Sequence, residues 1–482
     1  MAKHKKRGKR KKKNSSRSKP SVSASMKRTT WLLIGAAIVC AAFSVFYLRY
    51  LLPKHEEPQT TEPDSNSTGL SSLRPVDSIP APKQEVAALK QEAIDVTIRL
   101  TKDFPKDAEA FYMLGFVYKN QGKSEKAIMY WKRCVELDRT HTEAYRGMAE
   151  VTLDKGEYEE AVELWERVLE IDPKLPGIYN SLACALMCLG KSEEAVKAFH
   201  RDIEISGPSI HNQFMLGKQY QLLKEYEKAR KCYETVIRMS PDYTQAYHGL
   251  AAVCKILGEE EKSGEFMEKF RELKVLEMKA LKARDNAFDD LASVCKTVAK
   301  ALTDAGQLYY LRKSSAKAEK LLQRAATLDA EQPECRILLT SLYQEDGRVT
   351  EALGLHEQLA LIEPQNAVHH VNIGVLSVQL KRFDRAEKAF RKAIGLAPKQ
   401  SFGYRSLAYM YLITNRKLPE ARKLAEQAVW LERTGENFFI LAWACHVNGD
   451  RADAISAIQQ SIKLEPGNIE YKQMYEDFKK GN

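Results

Sequence analysis

The chain has no C-x-x-C pair among its nine cysteines, so it carries no motif for thiol exchange or haem attachment. It also lacks an HExxH zinc helix, a phosphate-cradling GxxxxGK[ST] loop and a GxSxG nucleophile elbow, so no hydrolase or nucleotide-binding signature is present. Cys184 and Cys188 share a helix face, but an i,i+4 disulfide strains a helix and no histidine stands beside them in sequence to complete a metal site. No metal, cofactor or enzymatic activity is expected. Runs of alternating β-branched residues are scarce, and 17 prolines interrupt 482 residues rich in Ala, Leu, Glu, Lys and Arg. That composition predicts an all-α protein.

Acidic residues are missing altogether from positions 1–30, which hold thirteen Lys and Arg. The net charge of +11 therefore belongs to a tail, because beyond position 30 the remaining 62 basic residues face 64 acidic ones. No aromatic residue interleaves the tail charges, so no nucleic-acid partner is expected. Trp31 to Leu48 carries no charge and as a helix reaches about 27 Å, which predicts a transmembrane helix over 31–52. A cleaved signal peptide fits less well, since no small-x-small site follows the apolar run. The charge asymmetry then places the 1–30 tail in the cytoplasm, against anionic lipid, and the remainder outside, as in a bacterial periplasm. Residues 53–83, rich in Pro, Ser and Thr, read as a flexible linker.

After that point the sequence repeats itself every 34 residues. From Ala108, blocks begin at 108, 142, 176, 210 and 244 without an insertion. A large residue followed by a small one recurs at Leu114-Gly115, Met148-Ala149, Leu182-Ala183, Leu216-Gly217 and Leu250-Ala251. A second small residue recurs at Ala127, Ala161, Ala195, Ala229 and Ser263, with an aromatic four residues later at Trp131, Trp165, Phe199 and Tyr233. Pro173 and Pro241 close blocks, while Gly122, Gly156, Gly190 and Gly258 fall between paired helices. A second run begins near 299, 333, 367, 401 and 435, marked by Ala318, Ala352, Ala386, Ala421 and Ala454, with one residue inserted near Leu418-Pro419.

Period and markers together resemble the tetratricopeptide repeat, a helix-turn-helix unit. The resemblance implies a right-handed superhelical solenoid of about ten repeats. A capping helix and first array are expected over 84–277, a helical spacer over 278–298, a second array over 299–468 and a C-terminal cap over 469–482, where Ile469, Met474 and Phe478 form the inner side.

The resemblance also implies that a concave groove is lined by positions 2, 5, 9, 12 and 13 of each first helix. In the first repeat these include Tyr112 and Phe116; in the last three they turn apolar, with Val371, Val375, Phe402, Arg405, Tyr409, Phe439 and Trp443. Such a stripe suits the docking of partner proteins or peptides. Only Asn372 matches the Lys/Asn/Arg set by which some family members grip a C-terminal carboxylate. The expected function is thus a non-catalytic scaffold tethered to a membrane. The alternatives are an assembly or quality-control factor for exported proteins and a cytosol-facing organelle import receptor.

Overall fold

The computed structural model describes residues 83–284 and 290–480, and among these every regular element is an α-helix. The helices are α1 (Lys83–Asp103), α2 (Ala108–Asn120), α3 (Ser124–Leu137), α4 (Thr142–Lys155), α5 (Tyr158–Ile171), α6 (Ile178–Cys188), α7 (Ser192–Ser206) and α8 (Ile210–Leu222). Next come α9 (Tyr226–Met239), α10 (Thr244–Ile256), α11 (Glu260–Arg284), α12 (Asp290–Leu311), α13 (Ser315–Leu328), α14 (Pro333–Glu345) and α15 (Val349–Ile362). The chain continues through α16 (Ala367–Gln379), α17 (Phe383–Leu396), α18 (Ser401–Thr414), α19 (Leu418–Leu431), α20 (Gly435–Val447), α21 (Arg451–Leu464) and α22 (Ile469–Lys480).

The recurring small residues let paired helices cross closely. Ala127, Ala161, Ala195 and Ala229 are fully buried, as are Ala318, Ala352, Ala386, Ala421 and Ala454. Where serine replaces alanine, Ser263 Oγ donates to the Ala251 carbonyl at 2.8 Å, so its polar atom is satisfied at the crossing. The aromatic residue of the second helix fills the space that the small residues of two first helices leave. A Cβ on Gly147 would stand 2.7 Å from the Trp131 indole, and one on Gly115 would strike the same ring. Gly217 and Gly249 hold Tyr233 in the same way, and Gly374 meets Phe390. These are close-packed joints, in which a single added methyl forces a shift.

The turn inside each pair needs one residue in the left-handed region. Gly122, Gly156, Gly190, Gly258, Gly347 and Gly449 supply it, but Lys224, Lys313, Lys381 and Asn415 adopt the same positive φ at the same place in their repeats. The inserted residue before Leu418 is absorbed by a further left-handed residue, Lys417 at φ 46°.

The helices form two compact regions, 83–342 and 343–480, with the division inside α14. In the first, α1 has a buried side of Leu89, Ala93, Ile94 and Leu100 and, among the described residues, no first helix paired with it. Besides α2, it packs against α12, whose Val298, Leu302, Leu308 and Tyr309 are also buried. Across this seam Tyr309 Oη donates to Asp103 at 2.5 Å, and its ring lies tilted against Phe104 with ring centres 5.4 Å apart. Lys317 pairs with Asp103 at 2.6 Å, Arg312 with Asp107 at 2.5 Å, and Arg324 with Glu92 at 3.0 Å. The second region ends on α22, which buries Tyr471 and Phe478.

Among the described residues no helix is long and apolar enough to cross a membrane. The longest, α11 with 25 residues, carries Lys, Arg and Glu throughout. The expected single-pass placement, with a cytoplasmic N-terminus and repeats outside, is corrected accordingly. The 31–52 segment, the basic tail and the linker lie outside the described residues.

Candidate functional site

In the 343–480 region the first helices α16, α18 and α20 lie in succession and carry the apolar positions singled out in the sequence. The structure sorts them by exposure. Val375, Phe402, Tyr409, Phe439 and Trp443 are half-buried, resting on a core of Phe390, Leu407, Tyr411 and Ile440. Tyr409 and Trp443 meet edge to face across adjacent repeats, with centroids 6.0 Å apart. Val378, on the same stripe, is half-buried too.

Three residues on this side are used by the fold itself. Val371 has no exposed surface, because it belongs to the core cluster with Ala367, Phe390 and Leu407; its place in the groove is corrected to a core position. Arg405 spans two repeats, its guanidinium 2.9 Å from Glu436 and 3.4 Å from Asn437 Oδ1. Asn437 is itself fixed by donating to the Ala428 and Glu432 carbonyls at 3.2 and 2.7 Å. Phe439 is stacked by Tyr471 of α22 at 5.1 Å, and the neighbouring His446 by Phe478 at 4.3 Å. The open wall is therefore Val375, Val378, Phe402, Tyr409 and Trp443.

The corresponding face of the 83–342 region is more polar. Tyr112 and Phe116 are half-buried one turn apart, 6.3 Å between rings, and Tyr112 also meets the His141 ring at 4.9 Å. The Trp131 indole N–H donates to the Tyr112 carbonyl at 3.1 Å, which ties this groove residue to the close-packed joint behind it. Burial pushes the Tyr112 phenol well above its ordinary range, helped by the carboxylates of Glu109 and Glu143. Asp304 of α12 is raised as well, by burial first and against the pull of Lys300, with Glu109 and Glu334 adding repulsion. Lys119 pairs with Glu150 along the same face. This surface alternates charge and offers no continuous apolar stripe.

The fold brings one histidine where sequence adjacency placed none: His211 Nε2 lies 3.8 Å from Cys184 Sγ. Among the described residues no three His, Cys, Asp or Glu side chains are grouped to hold a metal ion. Cys134, Cys232, Cys254, Cys335 and Cys445 are buried free thiols, and burial pushes Cys232 and Cys445 up to about 11, so both stay protonated. The role of Tyr471 in covering Phe439 was missed from sequence, although Tyr471, Met474, Tyr475 and Phe478 follow helical spacing.

Models of the tetratricopeptide repeat match residues 108–141, 210–243, 335–367 and 370–400, and a TPR repeat model matches 150–190. No curated protein matches the chain. Among solved structures, MamA is 21% identical over 34% of this chain and 97% of its own, with a TM-score of 0.34. YrrB, described as a TPR protein with an unusual peptide-binding site, is 20% identical over 39% of this chain and 97% of its own, with a TM-score of 0.35. Yeast Tom70 is 17% identical over 77% of this chain and 95% of its own, with a TM-score of 0.33. Repeats of this kind are generally interaction scaffolds without catalytic function. With the 34-residue period, the helix pairs and the matching models agreeing, the chain is a tetratricopeptide-repeat protein.

Proposed function

We propose that the chain is a non-catalytic scaffold that docks an extended or helical peptide of a partner protein along the concave face of residues 343–480. The observation that carries this reading is the half-exposed row Val375, Val378, Phe402, Tyr409 and Trp443, laid across three successive first helices. Each of these side chains rests on the core at its base and leaves its outer part to solvent. Aromatic groups so placed are rigid anchors, since few rotamers are lost when a partner covers them. Tyr112 and Phe116 offer a second, smaller aromatic contact in residues 83–342, surrounded by charge.

The test is selection of peptides from a displayed library on the purified full chain, followed by titration. Peptides with spaced apolar or aromatic residues are expected, binding with one saturable site that Trp443→Ala weakens at least tenfold. Selection of sequences indifferent to the Trp443 and Tyr409 substitutions would refute the groove. Binding of many unrelated sequences at similar weak affinity would instead identify a holder of transient clients.

A further inference from the structure

The repeat that opens this wall contains buried polar atoms with nothing to bond. His356 on α15 and His369, His370 and Ser377 on α16 are all more than nine-tenths buried. His356 Nδ1, His369 Nδ1, His370 Nε2 and Ser377 Oγ have no hydrogen-bond partner. The His356 and His369 rings lie 6.0 Å apart, on the two helices that face each other between repeats. Orphaned polar atoms inside a joint that is otherwise apolar are costly, so their concentration in one repeat is a feature to explain.

Protonation would make each of these rings a donor at both nitrogens, and each has one nitrogen with no acceptor. The charges around them do not help. His356 faces His369; His370 faces His369 and Lys392 from α17; each of these neighbours would repel a new cation. Among the described residues the carboxylate that meets the set is Glu363, in the loop before α16: it lies 2.6 Å from His369 Nε2 and already accepts from Asn366 at 2.8 Å. Burial, then His369, pushes His356 down to about 3, and burial with Lys392 and His369 lowers His370.

The direction of the pH effect follows. An unfolded histidine takes up its proton below about pH 6.5. The folded His356 does so only near pH 3, so its contribution to stability is whole above pH 6.5 and is lost progressively as pH falls between those values. At pH 5 the neutral His356 by itself favours local opening by roughly thirty-fold, and the lowered His370 acts in the same direction.

We propose that buried His356 and His370, packed about the His369 ring, make the joint between α15 and α16 an acid-sensitive element, which loosens α16 on mild acidification and releases the partner held by Val375 and Val378. The release step rests on the groove reading above; the loosening does not. Opening of one joint is a natural event in a repeat array, where each pair is held only by its neighbours.

Hydrogen exchange of the full chain at pH 7.4 and 5.0, corrected for the intrinsic rate, tests the loosening. Residues 349–396 are expected to gain at least thirty-fold in exchange at pH 5, with the 401–464 helices little changed. The double variant His356→Gln and His370→Gln, neutral at both pH values, should lose most of that gain; His356→Gln alone should lose about thirty-fold of it if the double variant folds poorly. A uniform gain along the chain, or an undiminished gain in the variants, would overturn the proposal. Titration of a selected peptide at both pH values tests the release. Unchanged affinity at pH 5 alongside the expected exchange pattern would overturn the release and leave the loosening standing, whereas a peptide indifferent to Trp443→Ala would fault the groove itself.

Discussion

In residues 83–342 the helix with no preceding mate among the described residues is α1, and it is covered by α12, more than 180 residues further along the chain. In residues 343–480 the uncovered face belongs to the last pair, α20 and α21, and it is covered by the very next helix, α22. The two regions share one repeat and one set of small-residue joints, yet their ends are sealed by non-local contact in one and by local contact in the other. The difference teaches that the repeat unit fixes how neighbours stack, while the ends must be solved separately. It also carries a kinetic consequence: α1 cannot gain its second partner until the chain beyond residue 290 has formed, and long loops close slowly.

The largest effect should come from removing the non-local seal. Deleting residues 83–103 strips the cover from α12 and α2, and burial of Leu89, Ile94 and Leu100 alone is worth about 6 kcal/mol. Hydrogen exchange should rise across 108–342 and stay unchanged over 400–480; an equal rise in both regions would dissolve the comparison. Trp131→Ala in the first region and Phe390→Ala in the second should each cost about 3–5 kcal/mol by chemical denaturation, since both rings fill the same kind of joint. Unequal costs would show that the shared joint is not equivalent.

Smaller effects separate the seam from ordinary surface pairing. Lys317 and Arg312 are about half exposed, so Lys317→Ala or Arg312→Ala should lower the melting stability of the first region by about 1 kcal/mol or less, and by less again in high salt. The Asp103 carboxyl is held below its ordinary value by Lys317 first and Tyr309 next, so the seam keeps this contribution above about pH 4 and loses it as pH falls further. The smallest change should be a gain. Lys224→Gly and Lys313→Gly in one region, and Lys381→Gly in the other, relieve a left-handed lysine against the greater chain entropy of glycine and should each stabilise by about 0.5 kcal/mol, read as a rise in melting temperature.

Much of the fold was legible because the joints are made by residue size. Small residues at fixed spacing cannot be anything but crossings, and the aromatic four places on declares what fills them. The glycine turns were legible for the same reason, whereas Lys224, Lys313 and Lys381 carry no mark of the φ that their turns impose. On the final helix Phe478 is buried and Met474 packs against the core as the spacing predicts, but Ile469 is 78% exposed and Tyr471 is the buried residue of the first turn. Val371 looked like groove because position within a repeat does not say how far the next helix overlaps it. The seam was out of reach, since no local pattern in α1 names a partner near residue 300, and the histidine cluster was hidden because its members lie in two helices of adjoining repeats.

The account stands most directly on whether the outer half of the apolar wall is spare for docking. A selected peptide should be titrated against the full chain and against Tyr409→Ala with Trp443→Ala, with melting temperatures recorded alongside. Affinity lower by about a hundredfold, at about 3 kcal/mol for the two anchors, with folding of the 83–342 region unaltered, is the predicted result. Equal affinity for both proteins would contradict it.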